Sequence, residues 1–470
     1  MSELFFLLKH EYCLLAMLVL LLILKIRSKE WTNESLVQLM SVLLTINFFF
    51  GWILNSEGVF FGGMFQNTAL ISFEKNILNL ALLIIHLQST EWMRKHKHLP
   101  EFYMLLLSSM LGMFFLLSSS NLLMFYLALE LSTIPLAALC NFDLEKKASG
   151  EAAMKMILSS AFSSCLLLFG ISLLYGSTGT LDFKEMQGLL TGAPLQILAF
   201  IFAFTGFAFK LSVAPFHFWT ADVYEGSPVA VTSYLSVISK GTIVFALSSV
   251  LFSVFSHMSE IWYDVLVISA VVTMTVGNLF ALRQTNMKRF LAFSSIAQVA
   301  YVLIGISGSD EQGMSSSIYF ILIYVFSNLG AFAVVSHISA LTGKENIGDY
   351  NGLYKSNPGL SWLLGISLFS LAGIPPTAGF FGKLFLLGAG SNSGNWPLII
   401  FAALNMVVSL YYYLRVIRAV FMEPDNTQMA KLKLGTSFKI AMIFCLCGIL
   451  MLGFTTGIYE HILSLSFGLR

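Results

Sequence analysis

Fourteen apolar runs, each about the length needed to cross the hydrocarbon of a bilayer (roughly 20 residues in a helix), divide this chain of 470 residues. They fall at 12–26, 35–54, 68–90, 102–118, 119–140, 152–175, 195–218, 228–256, 261–282, 288–307, 313–341, 360–388, 396–422 and 436–464. Barrel strands alternate over only about ten residues, so these runs exclude a β-barrel. An all-α polytopic membrane protein with about 14 transmembrane helices is expected. Composition agrees: 57% of residues are hydrophobic and 11% charged, against roughly 25% charged in soluble domains. The lipid bilayer is therefore one partner. A net charge of +1 supplies no field to gather nucleic acid.

The opening MSELFFLLKHEY has neither a basic stretch ahead of its apolar run nor a small-residue cleavage site, so the first run is expected to be a retained span. Cys13, Cys140, Cys165, Cys445 and Cys447 lie in apolar runs without CxxC spacing or a neighbouring His. They read as packing residues, with no metal site and no redox centre. Cys445 and Cys447, two apart on a helix, should face different ways.

Lys and Arg gather in cytoplasmic connections. The odd-to-even connections hold eighteen of the 26 cations, and the opposite face holds four, Lys9, Lys75, Lys184 and Arg470. That split places both termini outside, on the periplasmic side. The cation-free connection at 219–228, WTADVYEGSP, carries Asp222 and Glu225. It reads either as a solvated turn ended by Pro228 or as an acidic mouth to a pathway.

Charges that stand out within spans are Glu130, Lys155, Lys210, Lys240 and Lys383. Each costs about 2.5–3.5 kcal/mol even on the lenient insertion scale, so the deeper four call for a function or a fixed ion pair. Lys155, one turn inside its span, could also snorkel or pair with Glu151 at i, i+4. Desolvation disfavours charge while an opposite charge restores it, so Glu and Lys within reach of each other titrate as a coupled set. This is chemistry for moving protons.

Two spans carry helix breakers beside a buried lysine, FAFKLSVAPFHFW at Lys210 and LAGIPPTAGFFGKLF at Lys383. They are spans 7 and 12, and an odd separation inverts the second relative to the first, as in inverted repeats built around broken helices. The expected organisation is a three-helix segment over 1–100, a first repeat over 101–256 (spans 4–8), a second, inverted repeat over 257–424 (spans 9–13) and a C-terminal helix over 425–470. His217, just past the first break, reads either as a relay between Lys210 and Lys240 or as a cap for freed carbonyls. No Ser-His-Asp arrangement, Walker loop or dinucleotide fingerprint is present.

The segments LALELSTIPLAAL, EAAMKMILSSAFSS, FKLSVAPFHFWTADVYEGSPVAVTSYLSVISK, NMKRFLAFSSIAQVAYVLIG and SLAGIPPTAGFFGKLFL strongly resemble the antiporter-like membrane subunits of bacterial NADH-quinone oxidoreductase, respiratory complex I. Lys383, where another member of the family characteristically has glutamate, and the end of the chain after span 14 narrow the resemblance to the subunit N type. The resemblance implies a modulating pair of Glu130 and Lys210, a central proton carrier at Lys240, and a route through Lys383 towards the outer exit. Lys155 and His217 fall on positions the family uses.

It further implies proton translocation from cytoplasm to periplasm across the bacterial cytoplasmic (inner) membrane, driven by redox chemistry elsewhere in the complex. The partners implied are neighbouring antiporter-like and small membrane subunits. No cofactor is implied in this chain, with NADH, FMN, iron-sulfur clusters and quinone in partner subunits. Gln298 stands where the family often has histidine, Ala300 where glycine is common and Ala221 where proline is usual. Because Gln298 cannot titrate, a path there must use water or other residues. Two rival readings remain, an Mrp-type cation/proton antiporter subunit and a membrane scaffold with static charges.

Overall fold

A computed structural model describes residues 6–27, 32–53, 56–308, 311–424, 429–455 and 457–466. Helix meets each of the fourteen apolar runs. The first six are single helices, α1 (Lys9–Ile26), α2 (Asn33–Gly51), α3 (Ala69–Lys95), α4 (Leu99–Leu117), α5 (Leu122–Cys140) and α6 (Lys147–Thr178). The seventh is broken into α7 (Pro194–Leu211) and α8 (Phe218–Gly226). Then come α9 (Val229–Ser253), α10 (Ser259–Arg283), α11 (Met287–Ser307) and α12 (Glu311–Thr342). The twelfth run is again broken, into α13 (Pro358–Ala372) and α14 (Ala378–Ser391). The last helices are α15 (Trp396–Phe421), α16 (Thr436–Phe454) and the short α17 (Gly457–Ser466). A small antiparallel hairpin, β1 (Gly58–Phe60) paired with β2 (Phe65–Asn67), lies in the connection before α3.

Local chemistry fixes many of the starts. Thr32, Thr68, Asn121, Asn286 and Asn395 each accept a backbone N–H from the first turn that follows, satisfying donors a helix cannot satisfy itself. Burial then sorts the helices into layers. On α5, Leu123, Leu127, Leu131 and Ile134 form one exposed apolar stripe, while Phe125, Leu129, Ser132 and Leu136 point inward. That helical spacing, with the apolar stripe outward, is how a span meets lipid. By contrast α11 and α12 are buried along their whole apolar length and form the centre of the bundle. Cys445 is buried and Cys447 exposed, on the two faces their spacing requires.

Three placements differ from the reading of the sequence. The seventh run breaks at 212–217 and resumes as α8, so the segment 219–226 is helix and not a connecting turn. The apolar count runs straight through that break because Val213, Ala214 and Phe216 are themselves apolar. Lys9 and Lys75, assigned to the face opposite the cation-rich connections, open α1 and lie in the second turn of α3, and are buried at 1% and 0% exposure. Lys288, assigned to an inner connection, occupies the first turn of α11 and is also buried.

Candidate functional site

The two broken spans end their first halves in the same hydrogen-bonded turn. In α7 the N–H of Val213 donates to the Ala208 carbonyl and that of Ser212 to Phe209, with Ser212 left-handed at φ 64°. In α13, Ile374 donates to Phe369 and Gly373 to Ser370, with Gly373 at φ 86°. This is the helix-ending motif in which a left-handed residue lets the chain turn back on the last carbonyls. The match extends outward, Phe216 donating to Val213 as Thr377 donates to Ile374. Pro215 and Pro376 follow in register, each after a cis peptide bond. Glycine is required at 379, since a Cβ there would lie 1.8 Å from the Ser370 carbonyl oxygen.

Aligned by this motif, Lys210 takes the place of Leu371 and Lys383 that of Asp222. The two lysines are therefore not equivalent in sequence register, although each lies beside its break. Lys383 compensates in space: its Nζ reaches back across the break and donates to the Leu371 carbonyl at 2.7 Å and the Ala372 carbonyl at 3.3 Å. These are end carbonyls of α13, where the helix dipole favours a cation. The same ammonium lies 4.9 Å from the Tyr301 ring centroid.

Lys210 is buried in the last turn of α7 and donates to Thr133 Oγ1. Thr133 sits one helical turn beyond Glu130 on α5. Glu130 and Lys210 do not form an ion pair; the threonine holds the lysine, and Glu130 Oε1 is buried without a hydrogen-bond partner. His217 begins α8 with its Nδ1 buried and unpartnered and makes no capping bond. The structure thus gives it neither of the contacts the sequence suggested.

Lys240 follows a π-helical turn, Leu235–Ser239, within α9, a local unwinding often found at functional positions. Its Nζ donates to Ser295 Oγ at 2.8 Å and lies 5.7 Å from the Tyr224 ring centroid. Ser294, next along α11, shares a hydrogen bond of 2.6 Å with the Tyr413 hydroxyl. Gln298 Nε2 donates to that hydroxyl at 3.0 Å and to the Leu371 carbonyl at 2.8 Å. Two buried polar runs therefore meet at adjacent serines of α11: Lys240 on Ser295, whose hydroxyl donates to the Ala292 carbonyl, and Ser294, Tyr413 and Gln298 leading to the carbonyl that holds Lys383. The sequence did not single out Ser294, Ser295 or Tyr413, because a neutral hydroxyl in an apolar run carries no charge signal.

At the end of the bundle bearing the cation-rich connections, a recess of about 530 Å³ is lined by Asp143, Lys146, Glu225, Ser227, Lys288 and Glu345, among others. Beside it, Arg289 donates to Asp222 at 2.7 Å and to Glu225 at 2.8 Å. Lys155 meets Asp222 and Glu151, each at 2.6 Å, so the pairing at i, i+4 is present together with a longer-range one. Lys288 lies 3.1 Å from Glu345. The acidic segment is thus a paired charge cluster at the rim of a polar recess.

Residues 119–409 match the family model described as NADH:quinone oxidoreductase/Mrp antiporter, TM. NADH-quinone oxidoreductase subunit N of Phocaeicola vulgatus is 44% identical over 449 residues, covering 94% of each chain. The protein of that name from Azobacteroides pseudotrichonymphae is 43% identical over 99% of this chain and 98% of its own. Among solved structures, a chain of the respiratory complex I of Thermus thermophilus with bound aureothin superimposes with a TM-score of 0.81 at 28% identity, covering 95% of this chain and 97% of that one. Sequence and architecture agree over nearly the whole length, and the chain belongs to the NADH:quinone oxidoreductase/Mrp antiporter transmembrane family, in its subunit N branch.

Proposed function

We propose that this chain is a proton-translocating membrane subunit of an NADH-quinone oxidoreductase, assembled beside other antiporter-like and small membrane subunits. Its protons pass from the cytoplasmic to the periplasmic side of the bacterial inner membrane, with both termini on the periplasmic side. The observation that carries the reading is the pair of buried polar runs that adjacent serines of α11 bring side by side, one from Lys240 to Ser295 and the other from Ser294 through Tyr413 and Gln298 to the Leu371 carbonyl that Lys383 also binds. Groups that donate and accept hydrogen bonds in sequence, in a low-dielectric interior, polarise one another and offer a proton successive places to rest.

On this reading the recess lined by Glu225 and Lys288 is the inner mouth. Lys210, bonded to Thr133, which lies one turn from Glu130, is the modulating charge whose displacement alters the affinity of Lys240 for a proton. Lys155 and His217 flank that first half of the path, and Lys383 stands at the start of the outward half. The shared turn at the two breaks supports two repeats over 101–256 and 257–424. NADH, FMN, iron-sulfur clusters and quinone would all lie in partner subunits, and this chain would convert an imposed electrostatic change into proton movement.

The deciding experiment is Lys240→Ala in the assembled complex, with NADH-quinone turnover and proton uptake measured in sealed vesicles. An assembled complex whose pumping collapses supports a working proton carrier and removes the static scaffold. Pumping at the parental ratio would overturn the reading. Proton transport that follows sodium and is independent of NADH would favour an Mrp-type antiporter.

A further inference from the structure

Glu74 lies on α3 with 3% of its surface exposed, and its Oε1 is buried without a hydrogen-bond partner. Its neighbour Lys75 is committed elsewhere, donating to Glu11 at 2.6 Å and to Asn67 Oδ1 at 3.4 Å. Glu74 instead lines a cavity of about 20 Å³, room for a single water by the usual measure of about 10–15 Å³. That cavity shares Ile71, Leu117, Ser119, Phe183, Ser249 and Met314 with a much larger one of about 760 Å³. The larger cavity is a vestibule whose wall includes Gln187, Ser253, Ser256, Ser259, Lys184 and Glu311. These residues lie in, or at the helix ends beside, the connections opposite the cation-rich ones.

We propose that Glu74 is a second proton-binding site, at the floor of this vestibule and in exchange with the water of the outer face. In the exchange, a hydronium in the vestibule gives its proton to a Glu74 carboxylate oxygen and leaves as water, and release is the reverse. An isolated buried carboxylate is costly as an anion, so a proton is the ligand that suits a carboxyl with an open oxygen and space for one water. The cavity is walled on its other side by Phe245, Ala246, Ser249 and Val250 of α9, the helix that carries Lys240. At 1.5 Å rise per residue, Ser249 lies about 13 Å beyond Lys240 along that helix. Glu74 thus stands between the central lysine's helix and the water of the vestibule.

The other charged or titratable groups around this end of α3 are Lys9, His10 and Glu11 of α1, Lys75 itself, Glu57, Lys184, Glu311 and His461 of α17. The proposal rests on the translocation reading for the direction of net flow, while proton binding by Glu74 does not depend on it.

The test uses the assembled complex in oriented vesicles with the pH of each face set separately, and follows the carbonyl stretch of protonated carboxyl groups by infrared difference spectroscopy. A band that titrates with outer pH, is lost in Glu74→Gln and is shifted in Glu74→Asp is the expected result, together with a lowered ratio of protons pumped per NADH in Glu74→Gln. A band unchanged in Glu74→Gln overturns the proposal, as does one that responds only to inner pH, or one displaced by sodium at constant pH. Should Glu74→Gln fail to assemble, the outer-pH titration of the parental complex and the Glu74→Asp shift decide alone. Collapse of pumping in Lys240→Ala with the Glu74 band retained separates the two proposals, since the translocation reading then stands by itself.

Discussion

Lys383 and Gln298 converge on one acceptor, the carbonyl of Leu371, at 2.7 and 2.8 Å. An ammonium and a carboxamide that share an oxygen are coupled through it: moving or neutralising one changes what the other must satisfy. Gln298 therefore joins Tyr413 to the carbonyl that anchors Lys383 through a side chain that carries no charge.

Replacing Tyr413 by phenylalanine removes the only hydroxyl between Ser294 and Gln298 in this run. Loss of one such buried hydrogen-bonding group costs about 1–3 kcal/mol, so the complex should still assemble. Coupled proton uptake should fall by at least about tenfold, the low end of what a positioned proton-transfer group contributes. The check is proton uptake per NADH in sealed vesicles, with assembly judged on a native gel.

Lys383→Met keeps the bulk and removes the charge, leaving the Ala372 carbonyl of α13 without this donor and the Leu371 carbonyl with Gln298 in place of two donors. The expected result is an assembled complex, destabilised by about 1–3 kcal/mol, in which pumping is lost. Thermal dissociation and proton uptake measured on the same preparation distinguish loss of function from loss of structure.

At the inner rim, Arg289 and Lys155 both bind Asp222, so either can stand in for the other at that carboxylate. Lys155 is 41% exposed, and its replacement by alanine should cost no more than about 1 kcal/mol. Arg289→Ala also strips Glu225 of its partner and should cost more. The double variant should depart from additivity by about 0.5–3 kcal/mol, as expected for residues sharing a partner. A double-mutant cycle on the thermal midpoint of the purified complex measures this.

The pair Glu11 and Lys75 is buried at 3% and 0% exposure. Removing one partner strands the other in a dry interior, at a cost of about 3–5 kcal/mol. Lys75→Met alone should lower the thermal midpoint sharply, whereas Glu11→Leu with Lys75→Met should recover most of it. If the single and double variants were equally destabilised, the pair would be contributing through something other than its charges.

The number and order of spans were legible because length and hydrophobicity are local properties, and each run became helix with lipid or protein around it. Where a helix breaks was less legible. At 212–217 the breaking segment is itself apolar, and the turn depends on Ser212 adopting a left-handed conformation that no pattern of hydrophobicity reports. The buried lysines stood out by charge alone, but their partners did not. Thr133, Ser295 and the Leu371 carbonyl are supplied by other helices or by backbone, and such contacts are set by packing. Lys9 and Lys75 were misplaced for a related reason: a charge near the end of an apolar run is indistinguishable from a loop charge until a partner such as Glu11 comes within reach from another helix.

The turn shared by α7 and α13 has a last consequence. Its register sets Lys210 before one break and Lys383 after the other. Two repeats that matched in every residue would make a conduit that reads the same from either face, with no reason to conduct one way. Seating one ammonium on a threonine hydroxyl of another helix, and the other on backbone carbonyls it must reach back to, makes the two breaks electrically unlike. The same turn thus frames two different electrostatic surroundings, and the difference is set by where a single side chain is attached to the backbone.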